Sequence, residues 1–407
     1  MTHRLFSLAL TLGVGLVLLA CAREAPGQES PGTVELGYAV RLEPESGMAA
    51  VTLTLSQGAD LLRELDFNAP ADRFSDFDGD GRLRRDADRV SWEPPKKGGV
   101  LRYRVRVDSR RGDVYEAKMT SAWALFRLDD LFPPAVTRAV AGTVSAATLR
   151  LSGPSGWSLE TPYGPSNVDV HPVTSDRLFP RPTGWALAGE IGVRRDRIAD
   201  RQVAVAAPVG EGFRRQDTLA FLRWTLPAVV EVFPGFPERL LIVSGSRDMW
   251  RGGLSGPSSL YIHTDRPLIS GNGTSALIHE LVHVAVASTK SDSDDWLVEG
   301  LAEYYSLEIL RRTGGISEQR FHSALNMLSS WSSRDGGRLA NPSTGADTAH
   351  ATLELHALSH KLADRGDSLD AVVRELIATG PINGKRLAAL LETRNVAGDI
   401  FSAASER

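Results

Sequence analysis

The sequence predicts an α+β protein with a β-rich N-terminal half and a mostly helical C-terminal half. Residues 33–200 contain short segments rich in β-branched residues, and Leu101–Val107 alternates apolar residues with arginine, as a half-exposed antiparallel strand does. Turn residues recur between these segments, for example at Pro94–Gly99 and Gly153–Gly156. We therefore predict a β-sandwich-like first domain over 33–200.

From about residue 201 the apolar residues recur with the period of helices. Helical patterns cover 213–233, 274–288, 295–312, 317–330, 350–363 and 368–378. Two short apolar segments, 240–243 and 258–263, are typical of strands in a small sheet. The sequence thus predicts a second domain over 201–407 that is mostly helical and contains a small mixed sheet.

The amino-acid composition of the chain excludes several functional classes. The chain has 407 residues, which suits two or three domains, and its 46 Lys and Arg against 50 Asp and Glu give a net charge of -4. A near-balanced chain without basic runs argues against nucleic-acid binding. The single cysteine excludes an internal disulfide framework and a cysteine zinc finger.

The first twenty residues have the layout of a bacterial secretory signal. Arg4 is followed by an almost wholly apolar segment, and Ala20-Cys21 resembles a lipoprotein cleavage site. We predict a signal peptide over 1–20, a lipid on Cys21 and a Pro- and Gly-rich tether over 21–32, which together anchor the protein in the cell envelope. Ala22, in place of Asp, resembles the sorting pattern of Gram-negative lipoproteins, and this resemblance implies the outer membrane. An ordinary signal whose cleavage site happens to neighbour a cysteine is the alternative.

A metal-binding pattern lies in the second half. His279-Glu280-Leu-Val-His283 places two histidines four residues apart inside an apolar helical stretch, so both imidazoles lie on one helix face. Two such nitrogens can share one zinc ion, and Glu280 can act as general base toward a water molecule there. The alternative is two hydrogen-bonded histidines on a core-facing helix.

The next predicted helix adds carboxylates. Glu299 lies sixteen residues after His283 and is expected to be the third ligand, while Glu303, one turn on, is expected to accept the free ring N–H of His279. Solvent-exposed helix carboxylates are the alternative for both. Gly300 lowers helix propensity, which indicates close packing against the helix of His279.

These residues resemble the gluzincin metallopeptidases, whose two zinc histidines are followed on the next helix by a glutamate ligand. Trp296–Ala302 resembles that second motif, and Gly252–Leu254 resembles a segment of the glycyl aminopeptidase family. The resemblance implies a thermolysin-like catalytic domain, one zinc ion per chain and a peptide or protein substrate. The family's amine-binding glutamate is replaced by Ser255, so aminopeptidase and endopeptidase activity both stay open. Its oxyanion-stabilising tyrosine has His350 as the nearest counterpart, although a histidine with no such role is the alternative.

The substrate is expected to add as a strand along Ser258–His263. A catalytically silent peptide-binding scaffold and a zinc hydrolase of non-peptide bonds are the alternative functions, and the sequence leaves the oligomeric state open.

Two other patterns in the sequence contain residue types that can bind metal ions. Asp76–Asp80 resembles part of a calcium loop, but its turn residues favour a β-hairpin loop. His356 and His360 are also four residues apart, without an evident acidic partner.

Overall fold

The computed structural model describes residues 32–164, 171–173, 179–286, 294–398 and 401. The predicted signal peptide, Cys21 and the tether up to residue 31 lie outside these ranges. Within the described ranges, no helix is both long enough and apolar enough to cross a membrane. The lipid anchor and the envelope location therefore stay predictions.

The described residues of the first half of the chain form three sheets. The strands are β1 (Thr33–Glu43), β2 (Met48–Leu55), β3 (Leu62–Asn68), β4 (Phe74–Gly79), β5 (Arg82–Asp86), β6 (Arg89–Glu93), β7 (Gly99–Arg106), β8 (Ser109–Arg111), β9 (Val114–Met119), β10 (Trp123–Arg127), β11 (Ala135–Ala139), β12 (Val144–Ser152), β13 (Ser158–Glu160), β14 (His171–Val173) and β15 (Trp185–Gly189). The strand orders of the three sheets are β14-β12-β1-β2-β7-β4, β13-β15-β10-β9-β8 and β11-β3-β6-β5. Their alternating apolar residues bury one shared core.

The second half combines a five-stranded sheet with seven helices in the described residues. The elements are β16 (Ile191–Ile198), β17 (Arg201–Pro208), α1 (Arg215–Val232), β18 (Arg239–Gly245), β19 (Gly253–Gly256), β20 (Ser259–His263), α2 (Ala276–Val286), α3 (Asp295–Arg312), α4 (Glu318–Asp335), α5 (Ala346–Ala363), α6 (Leu369–Thr379) and α7 (Gly384–Glu392). The strand order of the sheet is β16-β17-β18-β20-β19. The helices and one face of this sheet share the largest core cluster.

The change from the first set of sheets to the second comes ten residues before the predicted boundary at 200. β15 ends at Gly189 in the second sheet, and β16 begins at Ile191 in the five-stranded sheet of the C-terminal half. β16 pairs antiparallel with β17 along its whole length. The sequence of β16 has the same strand-like pattern as the strands before it. The local sequence pattern therefore does not show that a new sheet begins at β16, and only its pairing with β17 does.

A small apolar cluster joins the two halves. Leu125, Trp185 and Leu187 from the first half pack against Leu241 and Tyr261 of the five-stranded sheet. All five side chains are buried, at no more than 2% exposure. The β-rich half therefore covers the face of this sheet that the helices leave free.

The segment Asp76–Asp80 is not a hairpin loop. It is the end of β4 and the link to β5, and these two strands pair with β7 and β6 in different sheets. Asp80 accepts the backbone N–H of Val100 at 2.9 Å, and Asp78 lies 3.8 Å from Arg102. The hairpin interpretation was therefore wrong, because it used turn residues and ignored which strands pair.

A charged network fastens α3 to α6. Asp370 accepts hydrogen bonds from Tyr305 at 2.9 Å and from the Arg312 guanidinium at 2.6 and 3.0 Å, while Glu308 accepts from Arg312 at 2.7 Å. Burial by itself raises the pKa of Asp370, but the Arg312 hydrogen bonds outweigh it and hold that pKa below its usual range. Such a carboxylate stabilises the fold above its unfolded-state pKa, and the contribution is lost as the pH falls through the lowered value.

Replacing Asp370 with Asn is expected to lower the free energy of unfolding by about 2 kcal/mol at neutral pH. Breaking a fully buried pair costs more, but the Arg312 side chain is 33% exposed and solvent screens part of the loss. Urea unfolding should show the deficit shrinking as the pH falls from the unfolded-state pKa through the lowered folded-state value, because the wild type then also loses the carboxylate charge. Asp335→Asn, at an exposed pair on α4, is the matched control, and an equal loss in both variants would contradict this account.

Candidate metal centre

The site begins on α2, an 11-residue helix whose apolar residues are buried against the core. His279 and His283 are one turn apart on this helix, and their Nε2 atoms lie 3.0 Å from each other. Both side chains are largely buried, with 19% and 13% exposure. The helix period alone brings the two imidazoles together, as the spacing predicts.

Glu299 on α3 completes the group. Its carboxylate oxygens lie 3.4 Å from Nε2 of His279 and 3.4 Å from Nε2 of His283. Among the described residues, these three form the one group of His, Cys, Asp or Glu ligand atoms within 4.8 Å of one another. The structure therefore places the three predicted ligands together from two separate helices.

The donor set fits zinc. Zinc prefers tetrahedral sites of nitrogen and oxygen donors at about 2.0–2.2 Å, which places ligand atoms roughly 3.3 Å apart. The three separations between the donor atoms of His279, His283 and Glu299 are 3.0, 3.4 and 3.4 Å. Three protein ligands leave one of the four zinc positions free, which is the arrangement of catalytic rather than structural sites.

Glu303 supports His279 from behind. Its Oε2 lies 3.2 Å from Nδ1 of His279, so the ring donates Nδ1–H to this carboxylate and turns Nε2 toward Glu299. Burial by itself lowers the pKa of His279, but Glu299 and Glu303 outweigh it and raise that pKa to about 10. A proton therefore competes with a metal ion for Nε2, and metal binding at this site releases a proton.

Replacing Glu303 with Ala is expected to weaken zinc binding by about tenfold or more, because His279 loses the carboxylate that fixes its ring. Glu303→Gln keeps an acceptor without the charge, so its affinity should lie between those of Glu303→Ala and the wild type. Competition against a chelating dye measures these affinities. Equal zinc affinity in the wild type and Glu303→Ala would contradict the supporting role.

Glu280 lies against strand β19. A Cβ atom added to Gly253 would lie 2.6 Å from Oε1 of Glu280, so a side chain at 253 would displace the carboxylate. Burial raises the pKa of Glu280. The charges of His279 and His283 and a hydrogen bond from the Ser255 backbone act in the opposite direction and lower that pKa. Glu280 is thus held between the candidate ligands and the β19 backbone, where a raised pKa suits a general base.

Trp185 fixes β19 from the β-rich half. Its Nε1–H donates to the Leu254 carbonyl at 2.8 Å, and its backbone N–H donates to the Ser259 hydroxyl at 2.8 Å. Its ring also packs on Tyr261, 5.3 Å away between ring centroids. The first half of the chain therefore positions the strand that lies beside Glu280.

The predicted substrate strand must be corrected. Ser259–His263 is not at the edge of the sheet, because it pairs with β18 on one side and with β19 on the other. β19 ends the sheet among the described strands. The short segment Gly253–Gly256 carries two glycines, which are unfavourable in strands, and the sequence analysis did not predict it as a strand.

Gly300 also packs differently from the expectation. An added Cβ atom there would lie 2.8 Å from the Ala351 side chain, so the close approach is between α3 and α5, not between α3 and the helix of His279. His350, next to Ala351, is partly buried, and its Nε2 lies 3.9 Å from Glu354. The oxyanion role of His350 stays a prediction.

Sequence reasoning missed two residues that shape the site. Gly253 must lack a side chain for β19 to approach Glu280, and Trp185 carries the hydrogen bond that holds β19 in place. The Gly252-Gly253 pair was a signal for a close backbone approach. No signal in the sequence connects Trp185 with a strand about seventy residues later.

Several solved structures have a fold similar to that of this chain. An aminopeptidase N family protein from Idiomarina loihiensis matches with a TM-score of 0.64 and 15% identity, over 90% of this chain and 72% of that chain. An M1 zinc metallopeptidase from Deinococcus radiodurans matches with a TM-score of 0.56 and 17% identity, over 93% of each chain. Leukotriene A4 hydrolase from Saccharomyces cerevisiae matches with a TM-score of 0.54 and 15% identity, over 89% of this chain and 65% of that one.

Neither a protein-family model nor a curated protein sequence matches the chain. At this level of identity the structural likeness shows the fold alone. The described residues form a mixed α+β arrangement with several sheets and seven helices, and this fold is similar to that of an M1 zinc metallopeptidase. The predicted α+β class is confirmed. Activity does not follow from the fold and has to be argued from the site.

Proposed function

We propose that this protein is a zinc-dependent metallopeptidase. The observation that carries the proposal is the placement of Glu280, between a three-donor cluster suited to zinc and the strand at the end of the sheet. A purely structural zinc site needs no buried carboxylate beside its ligands, which speaks against the silent-scaffold alternative. Similarity to solved zinc metallopeptidases supports the same reading.

Each residue has a defined task in this proposal. His279, His283 and Glu299 would hold one zinc ion, which when bound polarises a substrate carbonyl and makes a water molecule more acidic. Glu280 would accept a proton from the attacking water and then pass it to the departing amine. Glu303 would keep the His279 ring oriented throughout.

The substrate backbone would lie along β19. This strand ends the sheet among the described strands and is in contact with Glu280, so an extended peptide added there would reach the reacting centre. Ser255 occupies this strand where the resembling aminopeptidases have an amine-binding glutamate. The proposal therefore covers cleavage of internal and of N-terminal peptide bonds, and it includes the closer resemblance to the glycyl aminopeptidase family.

The cellular setting is also a proposal. A lipid on Cys21 and the tether up to residue 32 would hold the folded part close to a membrane, and Ala22 favours the outer membrane. Peptides or proteins of the bacterial envelope would then be the substrates within reach. Labelling with a radioactive fatty acid in wild type and Cys21→Ala tests this anchor separately from the activity.

A peptide library tests the activity. We expect the full chain to cleave library peptides, with the cleavage abolished by a zinc chelator and restored by added zinc. One half of the library should carry free N-termini and the other acetylated N-termini, so that the two modes of cleavage separate. Cleavage that survives complete removal of metal, or no cleavage by zinc-loaded protein of any peptide, would contradict the proposal.

A further inference from the structure

A second pair of histidines lies on α5. His356 and His360 are one turn apart, with their Nε2 atoms 3.3 Å from each other and their ring centroids 4.6 Å apart. His356 is half-buried and His360 is exposed, so solvent reaches the pair. The two imidazoles thus turn the same nitrogen toward each other, as His279 and His283 do on α2.

The spacing suits a shared metal ion. Two nitrogens bound to one tetrahedral zinc at about 2.0–2.1 Å are roughly 3.3 Å apart. The observed 3.3 Å between the Nε2 atoms of His356 and His360 matches that value. Imidazole is a ligand that zinc, copper and nickel prefer, whereas calcium and magnesium prefer oxygen donors.

A third histidine lies on α4, the helix next to α5. His322 is exposed on α4, the helix that also packs the Phe321 ring against His356, 5.7 Å away between centroids. The described side chains bring no third ligand atom to the pair as it stands, so His322 would have to rotate toward α5 to add a third imidazole.

Unlike His322, Glu308 is not available as a metal ligand. Its oxygens accept hydrogen bonds from Arg311 at 2.7 and 2.8 Å and from Arg312 at 2.7 Å. The pair also lacks a base of the kind found at the first site, because Ala357 follows His356 where Glu280 follows His279. The second pair is therefore suited to binding a metal ion but not to catalysing hydrolysis.

We propose that His356 and His360, joined by His322, form a second site for a divalent transition-metal ion, which bridges α5 and α4 at the protein surface. Water completes the coordination, and the affinity is lower than that of the three-ligand site because the donors are more exposed and include no carboxylate. The bound ion ties together two helices and stabilises the folded state. This proposal does not depend on the peptidase activity.

Zinc stoichiometry tests the proposal. The full chain, made without a histidine tag and stripped with a chelator, is titrated with zinc by equilibrium dialysis and metal analysis. We expect two ions per chain, a tight one and a weaker one. The double variant His356→Gln/His360→Gln should weaken the second ion by at least about tenfold and leave the first unchanged, whereas Glu299→Ala should weaken the first alone.

Two further measurements complete the test. His322→Gln should weaken the second ion by less than the double variant does, and far-UV circular dichroism of the metal-free variants should match the wild type. Zinc should raise the melting temperature of Glu299→Ala, and this rise should disappear when both α5 histidines are also replaced. A single ion in the wild type, or an unchanged second ion in the double variant, would overturn the proposal.

Discussion

Replacing Glu280 with Gln is expected to reduce peptide turnover by about 10²–10⁴-fold while leaving zinc bound. Gln has the shape of Glu and keeps an acceptor for the Ser255 backbone N–H, but it cannot take up a proton from water. The fold and the three ligand atoms should be unaffected, because Glu280 is not one of the ligands. A loss of turnover without a loss of bound zinc would show that Glu280 acts as the general base and not as a zinc ligand.

Steady-state kinetics on the best library peptide, with zinc content measured on the same samples, provides this comparison. Glu318→Gln is the matched control, since Glu318 is an exposed carboxylate on α4 that pairs with Arg311. It should keep both zinc and turnover. Wild-type turnover in Glu280→Gln would remove the general-base assignment, and loss of zinc in that variant would show that Glu280 is needed for binding.

The second large effect is on metal affinity. Replacing Glu299 with Ala is expected to raise the zinc dissociation constant on the order of 100-fold or more, because removing a ligand costs more than removing the partner of one. Glu299 is the sole carboxylate in the group and bridges toward both histidines at 3.4 Å. Its removal leaves two imidazoles, and turnover should fall along with occupancy.

Chelator competition with zinc at constant pH measures this loss. The pH must be held constant because His279 releases a proton when metal binds, so affinity falls as the pH falls. Glu318→Ala is the control for removing a helix carboxylate. An unchanged dissociation constant in Glu299→Ala would mean that a different side chain completes the site.

The candidate site was predictable from the sequence where its geometry is local. His279 and His283 meet because the helix period brings residues four apart onto one face. Glu299 and Glu303 are also four residues apart, so once α3 docks with one of them at the site the other lies one turn away. Helical periodicity determines the spacing within each of these two pairs without any tertiary contact.

The parts that could not be predicted depend on distant pairing. β19 has four residues, with glycine at both ends, and becomes a strand only because it pairs with β20 and is held by Trp185. The placement of β16 in the second sheet likewise depends on β17. Hydrophobic pattern reports which residues are buried but does not report which strands are neighbours.

The central claim is that one zinc ion, held by His279, His283 and Glu299, is required for peptide cleavage. The most direct test is to add zinc stepwise to metal-free protein and to follow bound zinc and turnover in the same samples. Turnover should rise in proportion to the first equivalent and stop rising at one ion per chain. Turnover in metal-free protein, or none when the first site is full, would contradict the account.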